Sequence, residues 1–377
     1  MIPQVAMVTP NYLPVFGGIQ YHVNGLSKAI SDYGWNINIH AAVNRVCQNH
    51  ETGNVHIKYY KTLLRPLNNP VTASMFFSLM QDRSNVLHVH GLYQSTAFIS
   101  KAVSSFTDRP IVATFHGRPS YENALDTMQT VFERTLLKTA AEWFHSTIAL
   151  TQSDKEFLLK SGFKQKQIRV IPNAIDVSFW SNGRGIHNET LKQIEGNLLY
   201  VGWLNERKNC GTIIEAFSKL PQRHSKIKLF LIGSGSSKAK LINQVRKYGL
   251  QNRVIFLGNV TREFVRYAYK VSKCLVLASK SEGLPTVVLE TMAAGTPVLV
   301  SPLPGLLEFI SGGQNGFLFK KLDSDSVAAK ISDVLDLEKG ELASVGNSGY
   351  HTVKSRYDWP VVAKSVIEVY RDAISFQ

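Results

Sequence analysis

In the stretch S-E-G-L-P-T-V-V-L-E-T-M-A-A-G-T-P-V-L, residues 281–299, two glutamates flank seven residues. Proline suits the first turn of a helix, so this run is expected to turn helical near Pro285-Thr286. Free N–H groups there would face phosphate or sugar oxygens. Glu282 then lies in the preceding loop. Glu290 lies about two turns into the helix, among Val287, Val288, Leu289 and Met292. A carboxylate in such apolar surroundings is costly to bury unless something hydrogen-bonds it, and a ribose diol is one such partner. The A-A-G-T-P turn then leads into another apolar run. Two carboxylates met by chance, one in a loop and one in a helix, would leave that turn unexplained. A helix returning through a tight turn to a buried strand is the repeating unit of a parallel α/β sheet.

The same alternation extends in both directions. Upstream, strand-like runs fall at 5–9, 37–43, 55–60, 86–89, 111–115, 147–150 and 168–171. Helical stretches lie between most of them, such as 18–31 and 121–141. After Pro172-Asn173 and a polar segment at 181–195 the pattern restarts, with strands at 198–201, 228–232, 254–257, 274–277 and 298–300. Two such sets imply two similar α/β domains, although no residue-level repeat links them. The last segment, 359–373, carries Val361, Val362, Val366, Ile367 and Tyr370 at helical spacing. No strand follows it, so it must dock on an existing surface.

Composition agrees. A chain of 377 residues, 44% hydrophobic and 19% charged, can bury two cores. No run reaches the roughly 18 apolar residues of a membrane span. The first residues, M-I-P-Q-V-A-M-V-T-P, lack a charged n-region and a long apolar h-region, so a first strand and a cytoplasmic protein are expected. Cys47, Cys210 and Cys274 have no C-x-x-C spacing and imply neither disulfides nor a zinc knuckle. The net charge of +14 divides as +5 over residues 1–177 and +9 over the rest. Such a spread argues against a nucleic-acid arm. Anionic small molecules or an anionic membrane surface fit it better.

Four further motifs stand at strand ends. Phe16-Gly17-Gly18-Ile19 follows the first strand at the head of a helix, where glycines admit a ligand close to the backbone. A plain glycine turn reads the same way. His88 and His90 share a sheet face at the end of one strand, and His116 ends the next. An H-x-H pair with a third histidine can hold zinc. The matching Lys, His and Asp ligands of metal-dependent amidohydrolases are missing from later strands, so packing or capping is the plainer role and no metal site is expected. His116 stands at the carboxyl edge, where α/β sheets bind ligands. In V-G-W-L-N-E-R-K-N, Arg207 and Lys208 follow a buried strand and could neutralise a diphosphate. Finally, Asp323-Ser324-Asp325 has the D-x-D spacing of a metal clamp, but it opens a helical run at 326–335, where Asp is favoured as a cap.

Taken in order, F-G-G-I, T-F-H-G, I-P-N-A-I-D at 171–176, the Lys208 turn and E-x7-E resemble glycosyltransferase family 4 over nearly the whole chain. The resemblance implies the GT-B fold: two Rossmann-like α/β domains facing each other across a cleft. Residues 1–175 would form an N-terminal acceptor domain, joined by a C-terminal helix at 358–377 that crosses back, and residues 176–357 a nucleotide-sugar donor domain. It also implies a retaining transfer from a nucleoside-diphosphate sugar to a saccharide or lipid-linked acceptor. No cofactor or metal is expected, nor any nucleic acid, while peripheral contact with an anionic membrane is.

Residue roles follow from the same resemblance. Gly17 and Gly18 would approach the donor phosphates, His116 would line the sugar pocket and Lys208 would bind the diphosphate. Glu282 would contact sugar hydroxyls near the anomeric centre and Glu290 the ribose, with the backbone of Gly283, Leu284, Thr286 and Val287 completing the pocket. Glu282, His116 and Lys208 are thus the expected catalytic groups. Where such enzymes usually read V-G-R, this chain has Trp203, so Arg207 is expected to stand in for the arginine. A GT-B nucleotide-sugar epimerase or a non-catalytic nucleotide-sugar-binding protein would share much of this pattern.

Overall fold

The computed structural model describes residues 2–13, 17–43, 49–64, 69–117, 136–183 and 188–375. The chain divides into two compact units. The first comprises Met1–Ala174 with Trp359–Gln377, and the second Ile175–Asp358.

Among the described residues, the first unit carries an eight-stranded sheet. Its strands are β1 (Gln4–Thr9), β2 (Asn36–Val43), β3 (His50–Thr52), β4 (Val55–Lys61), β5 (Val86–His90), β6 (Ile111–Phe115), β7 (Ser146–Ala149) and β8 (Ile168–Val170). Their spatial order is β3-β4-β2-β1-β5-β6-β7-β8. Every pair is parallel except β3 with β4. Sheets covered on both faces need apolar side chains at nearly every position, and β5 and β6 are buried throughout. By contrast β3, H-E-T, is fully exposed; no apolar run announces it, and it forms only as an antiparallel edge on β4.

Helix α1 (Gly18–Ser31) leaves β1 and buries Val23, Leu26 and Ile30 beneath the sheet. Helices α2 (Ala73–Gln81) and α3 (Ser95–Thr107) cover the other layer of side chains, with Leu79 and Val103 fully buried. An internal polar anchor lies near the end of α2. Asp82 accepts from Asn38 Nδ2 at 2.7 Å and from Ser84 N at 2.8 Å, with His40 Nε2 at 3.1 Å and Arg109 Nη1 at 3.9 Å. Burial pushes its carboxyl upward, but the bonds from His40 and Ser84 outweigh that and hold it well below the usual range.

The second unit carries a six-stranded sheet, all parallel, in the order β11-β10-β9-β12-β13-β14. Its strands are β9 (Leu198–Val201), β10 (Leu229–Ile232), β11 (Val254–Gly258), β12 (Cys274–Leu277), β13 (Val298–Val300) and β14 (Phe317–Leu318). Around it stand α4 (Cys210–Ser218), α5 (Arg262–Val271), α6 (Thr286–Ala293), α7 (Ser324–Asp336) and α8 (Lys339–Arg356). Strands β9, β10 and β12 are buried at all positions, which is why each reads as an unbroken apolar run.

The last helix, α9 (Trp359–Ser375), belongs to the first unit and buries Val362, Val366, Ile367 and Tyr370 against it. Each such side chain removed from water contributes about 1.5–3 kcal/mol before conformational entropy opposes it. Contact with α1 is close: a Cβ on Gly25 would lie 2.2 Å from the Trp359 ring.

Candidate active site

In the second sheet the chain runs from β9 to β10 and β11 on one side, then returns to lay β12 on the other. The order therefore reverses between β9 and β12, and ligands of open α/β sheets bind outside the carboxyl ends at such a point. Two loops leave the sheet there. The one after β9 passes Gly202 and Trp203 into a 3-10 turn, Glu206–Lys208, which Asn205 caps by accepting from Lys208 N at 3.0 Å. Gly202 and Gly233 take φ of 153° and 132°, and a Cβ on Gly233 would lie 2.0 Å from the Gly202 oxygen. The loops after β9 and β10 thus meet backbone to backbone, which fixes the course of the first.

The second loop follows β12 and carries Glu282 to the two cations. Lys208 Nζ lies 2.6 Å from Glu282 Oε1, and Arg207 Nη1 donates to Oε2 at 2.9 Å. The ammonium meets Oε1 as an ion pair without hydrogen-bond alignment. Arg207 Nη1 also donates to the Ser281 oxygen at 2.9 Å, and Lys280 N donates to the Arg207 oxygen at 2.9 Å. Side chains of Lys208 and Glu282 are only 9% exposed, whereas that of Arg207 is 41% exposed. Charges so close in partly dry surroundings interact more strongly than on an open surface.

Helix α6 starts just beyond, at Thr286, and no side chain caps its N-terminus at Pro285. Its first amides and its dipole favour an anion. A Cβ at Gly283 would meet nothing within 4 Å, whereas Leu284 and Val287 pack against the core. Four residues separate Glu290 from the first helical residue, Thr286, so at 3.6 residues per turn it sits little more than one turn into the helix, not two. Tyr269 Oη donates to its Oε2 at 3.2 Å. Burial pushes the Glu290 carboxyl up to about 7, against a weaker pull downward from Arg262 and Tyr269. Trp203 is 67% exposed, its carbonyl accepting from Tyr200 Oη.

Gly17, Gly18 and His116 belong to the first unit. Its sheet order reverses between β1 and β5. Gly17 is the uncapped N-cap of α1, and a Cβ at Gly18 would meet nothing within 4 Å; Phe16 lies outside the described residues. His116 follows β6, beside His90 at the end of β5, with His90 Nδ1 3.2 Å from His116 Nε2. His88, on the same face, bonds Tyr370 Oη and Thr114 Oγ1 through its two ring nitrogens and is a satisfied packing residue. The histidine that joins His90 and His116 is His22, whose ring stands edge-on to His116 with centroids 4.9 Å apart. It was not singled out in the sequence; its signal was a histidine one turn beyond the two glycines. Burial lowers His22 to about 4 and holds His90 and His116 well below their ordinary value, so all three are neutral at physiological pH.

The D-x-D spacing does not form a carboxylate pair. Asp323 caps α7 by accepting from Ser326 N at 2.8 Å, and Asp325 Oδ1 pairs with Lys219 Nζ at 2.8 Å.

Residues 16–179 match the family model described as Glycosyltransferase Family 4, and residues 186–351 match that described as Glycosyl transferases group 1. The chain belongs to glycosyltransferase family 4. As a family 4 enzyme it is a hexosyltransferase-type glycosyltransferase with the GT-B fold. An uncharacterized glycosyltransferase of Methanocaldococcus jannaschii is 26% identical, with 98% of each chain covered. The phosphatidyl-myo-inositol mannosyltransferase of Mycolicibacterium smegmatis is 25% identical, over 97% of this chain and 93% of that one. Among solved structures, Anabaena HepE in complex with UDP and glucose superposes with a TM-score of 0.77 at 16% identity, covering 98% of this chain and 100% of that one. Among the described residues of this family 4 chain, no helix is long and apolar enough to cross a membrane.

Proposed function

We propose that the chain transfers a hexosyl group from a nucleoside-diphosphate sugar to a saccharide or lipid-linked acceptor, with retention at the anomeric carbon and without a metal. One observation carries this reading. Lys208, Arg207 and the uncapped N-terminus of α6 stand at the point where the second sheet reverses its strand order. As the bond between sugar and diphosphate breaks, the diphosphate oxygens gain negative charge. Fixed cations and backbone amides already aimed at that charge stabilise the transition state without reorganising.

In this reading Lys208 and Arg207 hold the diphosphate, joined by the amides of Thr286 and Val287. Glu282 contacts the donor sugar and Glu290 accepts from the ribose hydroxyls. Gly17, Gly18 and His116 keep the roles stated above, toward phosphate and sugar respectively. The named ligands of HepE and the named substrate lipid of the mycobacterial mannosyltransferase support a sugar nucleotide as donor and a lipid-linked acceptor.

Contact with an anionic membrane is part of the proposal. The stretch 132–144 mixes cations with apolar and aromatic residues as an interfacial helix would, but it lies partly outside the described residues, and Leu137 and Phe144 within it are buried in the core. Exposed Phe77 on α2 and Phe106 on α3 are better placed, since both rings pack against Phe76 and form one apolar patch.

The test is a thermal-shift panel of UDP-, GDP- and ADP-sugars, followed by an assay of acceptor-dependent nucleotide release with the sugar that stabilises most. The reading fails if no sugar nucleotide raises the melting temperature. It also fails if nucleotide release never depends on an acceptor.

A further inference from the structure

On the donor reading above, we propose that Trp203 stacks its indole on the hexosyl ring of the donor and so recognises the sugar rather than the nucleotide. Its backbone is held on both sides. Gly202 N donates to the Ile232 oxygen at 3.0 Å, and Tyr200 Oη donates to the Trp203 oxygen at 2.9 Å. Leu204, fully buried, donates from N to the Ser234 oxygen at 2.9 Å and accepts from Ser237 N at 2.8 Å. With three successive residues pinned, the indole is presented by a fixed backbone and not by a loose loop.

The indole itself is unused. Trp203 is 67% exposed, whereas Trp35 and Trp180 are buried and Trp143 and Trp359 are half-buried. No hydrogen bond, ion pair or ring contact engages its side chain among the described residues. Single exposed apolar side chains are ordinary on a protein surface. A large, rigidly presented aromatic at a ligand-binding strand end is different, because such rings are what binding sites use to hold the apolar parts of a ligand.

Its neighbours decide which part of the donor it meets. A Cβ on Gly202 would lie 3.4 Å from Tyr200 Oη and 3.9 Å from Lys208 Cε, so the backbone just before Trp203 runs over the Lys208 side chain. Lys208 Nζ in turn lies 2.6 Å from Glu282, the group placed at the donor sugar. Glu290, placed at the ribose, is held instead by Tyr269. Trp203 therefore stands at the sugar end of the donor. An indole face carries the negative part of the ring quadrupole, so it repels phosphate oxygens and attracts polarised C–H bonds. A pyranose gathers such bonds on one face, and covering that face and the indole together removes apolar surface from water.

The experiment uses the full-length protein with the UDP-, GDP- or ADP-sugar that raises the melting temperature most, set beside its own nucleoside diphosphate. Acrylamide quenching of tryptophan fluorescence, taken as wild type minus Trp203→Phe, isolates the Trp203 signal. Saturating sugar nucleotide should lower its quenching constant about threefold, since a bound ligand covers most of the surface it uses. The nucleoside diphosphate should leave that constant unchanged. By calorimetry, Trp203→Ala should weaken the sugar nucleotide about 2–10-fold and the nucleoside diphosphate not at all, with Trp203→Phe keeping most of the affinity. Equal protection by the nucleoside diphosphate assigns the indole to the base or the phosphates and overturns the stacking. Protection that appears only once an acceptor is added overturns it too. A donor that raises the melting temperature yet leaves Trp203 fully quenchable removes the stacking and spares the donor reading. If no sugar nucleotide raises the melting temperature, the donor reading has failed and the stacking falls with it.

Discussion

Lys208 Nζ and Glu282 Oε1 stand 2.6 Å apart, with both side chains almost wholly buried, and Arg207 holds the other oxygen of the same carboxylate. Before any donor arrives, Glu282 is therefore the anion that these two cations neutralise. Removing its charge should free them for a diphosphate while taking away a contact to the reacting sugar. Glu282→Gln, which keeps the shape, is expected to lower kcat by about 10²-fold and leave nucleoside-diphosphate affinity unchanged or tighter. Steady-state kinetics with calorimetry decides this; wild-type turnover in the variant would remove Glu282 from the site.

Arg207 has a narrower role to defend. Its Nη1 reaches both Glu282 and the Ser281 carbonyl, while the position that usually carries an arginine is an exposed tryptophan. If Arg207 supplies the missing charge, Arg207→Ala should lose about 2–4 kcal/mol of transition-state stabilisation, read from kcat/KM. A loss under about tenfold would reduce it to a loop anchor.

How much of this was legible in the sequence depended on what each residue had to do. Strands 111–115, 198–201, 274–277 and 298–300 were read to the residue, because a doubly covered parallel strand must be apolar at every position. Exposed β3 had no such constraint and was missed. That Gly17, Gly18, Arg207 and Lys208 follow buried strands was legible, because the apolar runs before them end sharply. That Glu282 binds both cations was not, since the contact joins loops 74 and 75 residues apart in sequence. His22 stayed hidden for the same reason. A helical histidine acquires meaning only when the fold sets His90 and His116 beside it.

The packing of α9 on α1 offers a test that is independent of catalysis. A methyl group on Gly25 would lie 2.2 Å from the Trp359 indole, so Gly25→Ala must push the final helix outward. Overpacking of this kind costs about 1–3 kcal/mol. Denaturant melts should show that loss, and Gly18→Ala, where a Cβ meets nothing, should not. Equal stability of Gly25→Ala and wild type would mean that α9 does not pack on α1 this closely.

Transfer should survive removal of divalent metal. Asp323 is engaged in capping α7 and Asp325 in pairing with Lys219, so neither is set to clamp an ion against a diphosphate. Activity after exhaustive EDTA treatment is expected to remain within about twofold of the untreated enzyme, since fixed cations and helix N-termini can stabilise the leaving group. Asp323→Asn should lower the melting temperature slightly and leave kcat alone. Complete loss with EDTA, restored by Mn²⁺ and abolished in the Asp323→Asn/Asp325→Asn pair, would overturn the metal-free mechanism.

Glu290 predicts two pH dependences with one origin. Burial lifts its carboxyl from the usual 4.5 to about 7. Below about pH 4.5 it is neutral in folded and unfolded chains alike, and its contribution to stability is fully present. Between 4.5 and 7 the unfolded chain ionises while the folded one keeps its proton, so stability falls by up to about 3 kcal/mol and is level above that window. The ionised carboxylate is also the better acceptor for ribose hydroxyls, so donor affinity should rise as pH passes upward through 7. Glu290→Gln should flatten both curves and weaken donor binding about tenfold at pH 8. Calorimetry at pH 6, 7 and 8 should use an intact sugar nucleotide, whose diphosphate diester does not titrate in that range, alongside denaturant melts from pH 4 to 8. If the variant keeps the wild-type step in affinity, another group titrates there and the ribose assignment of Glu290 is wrong.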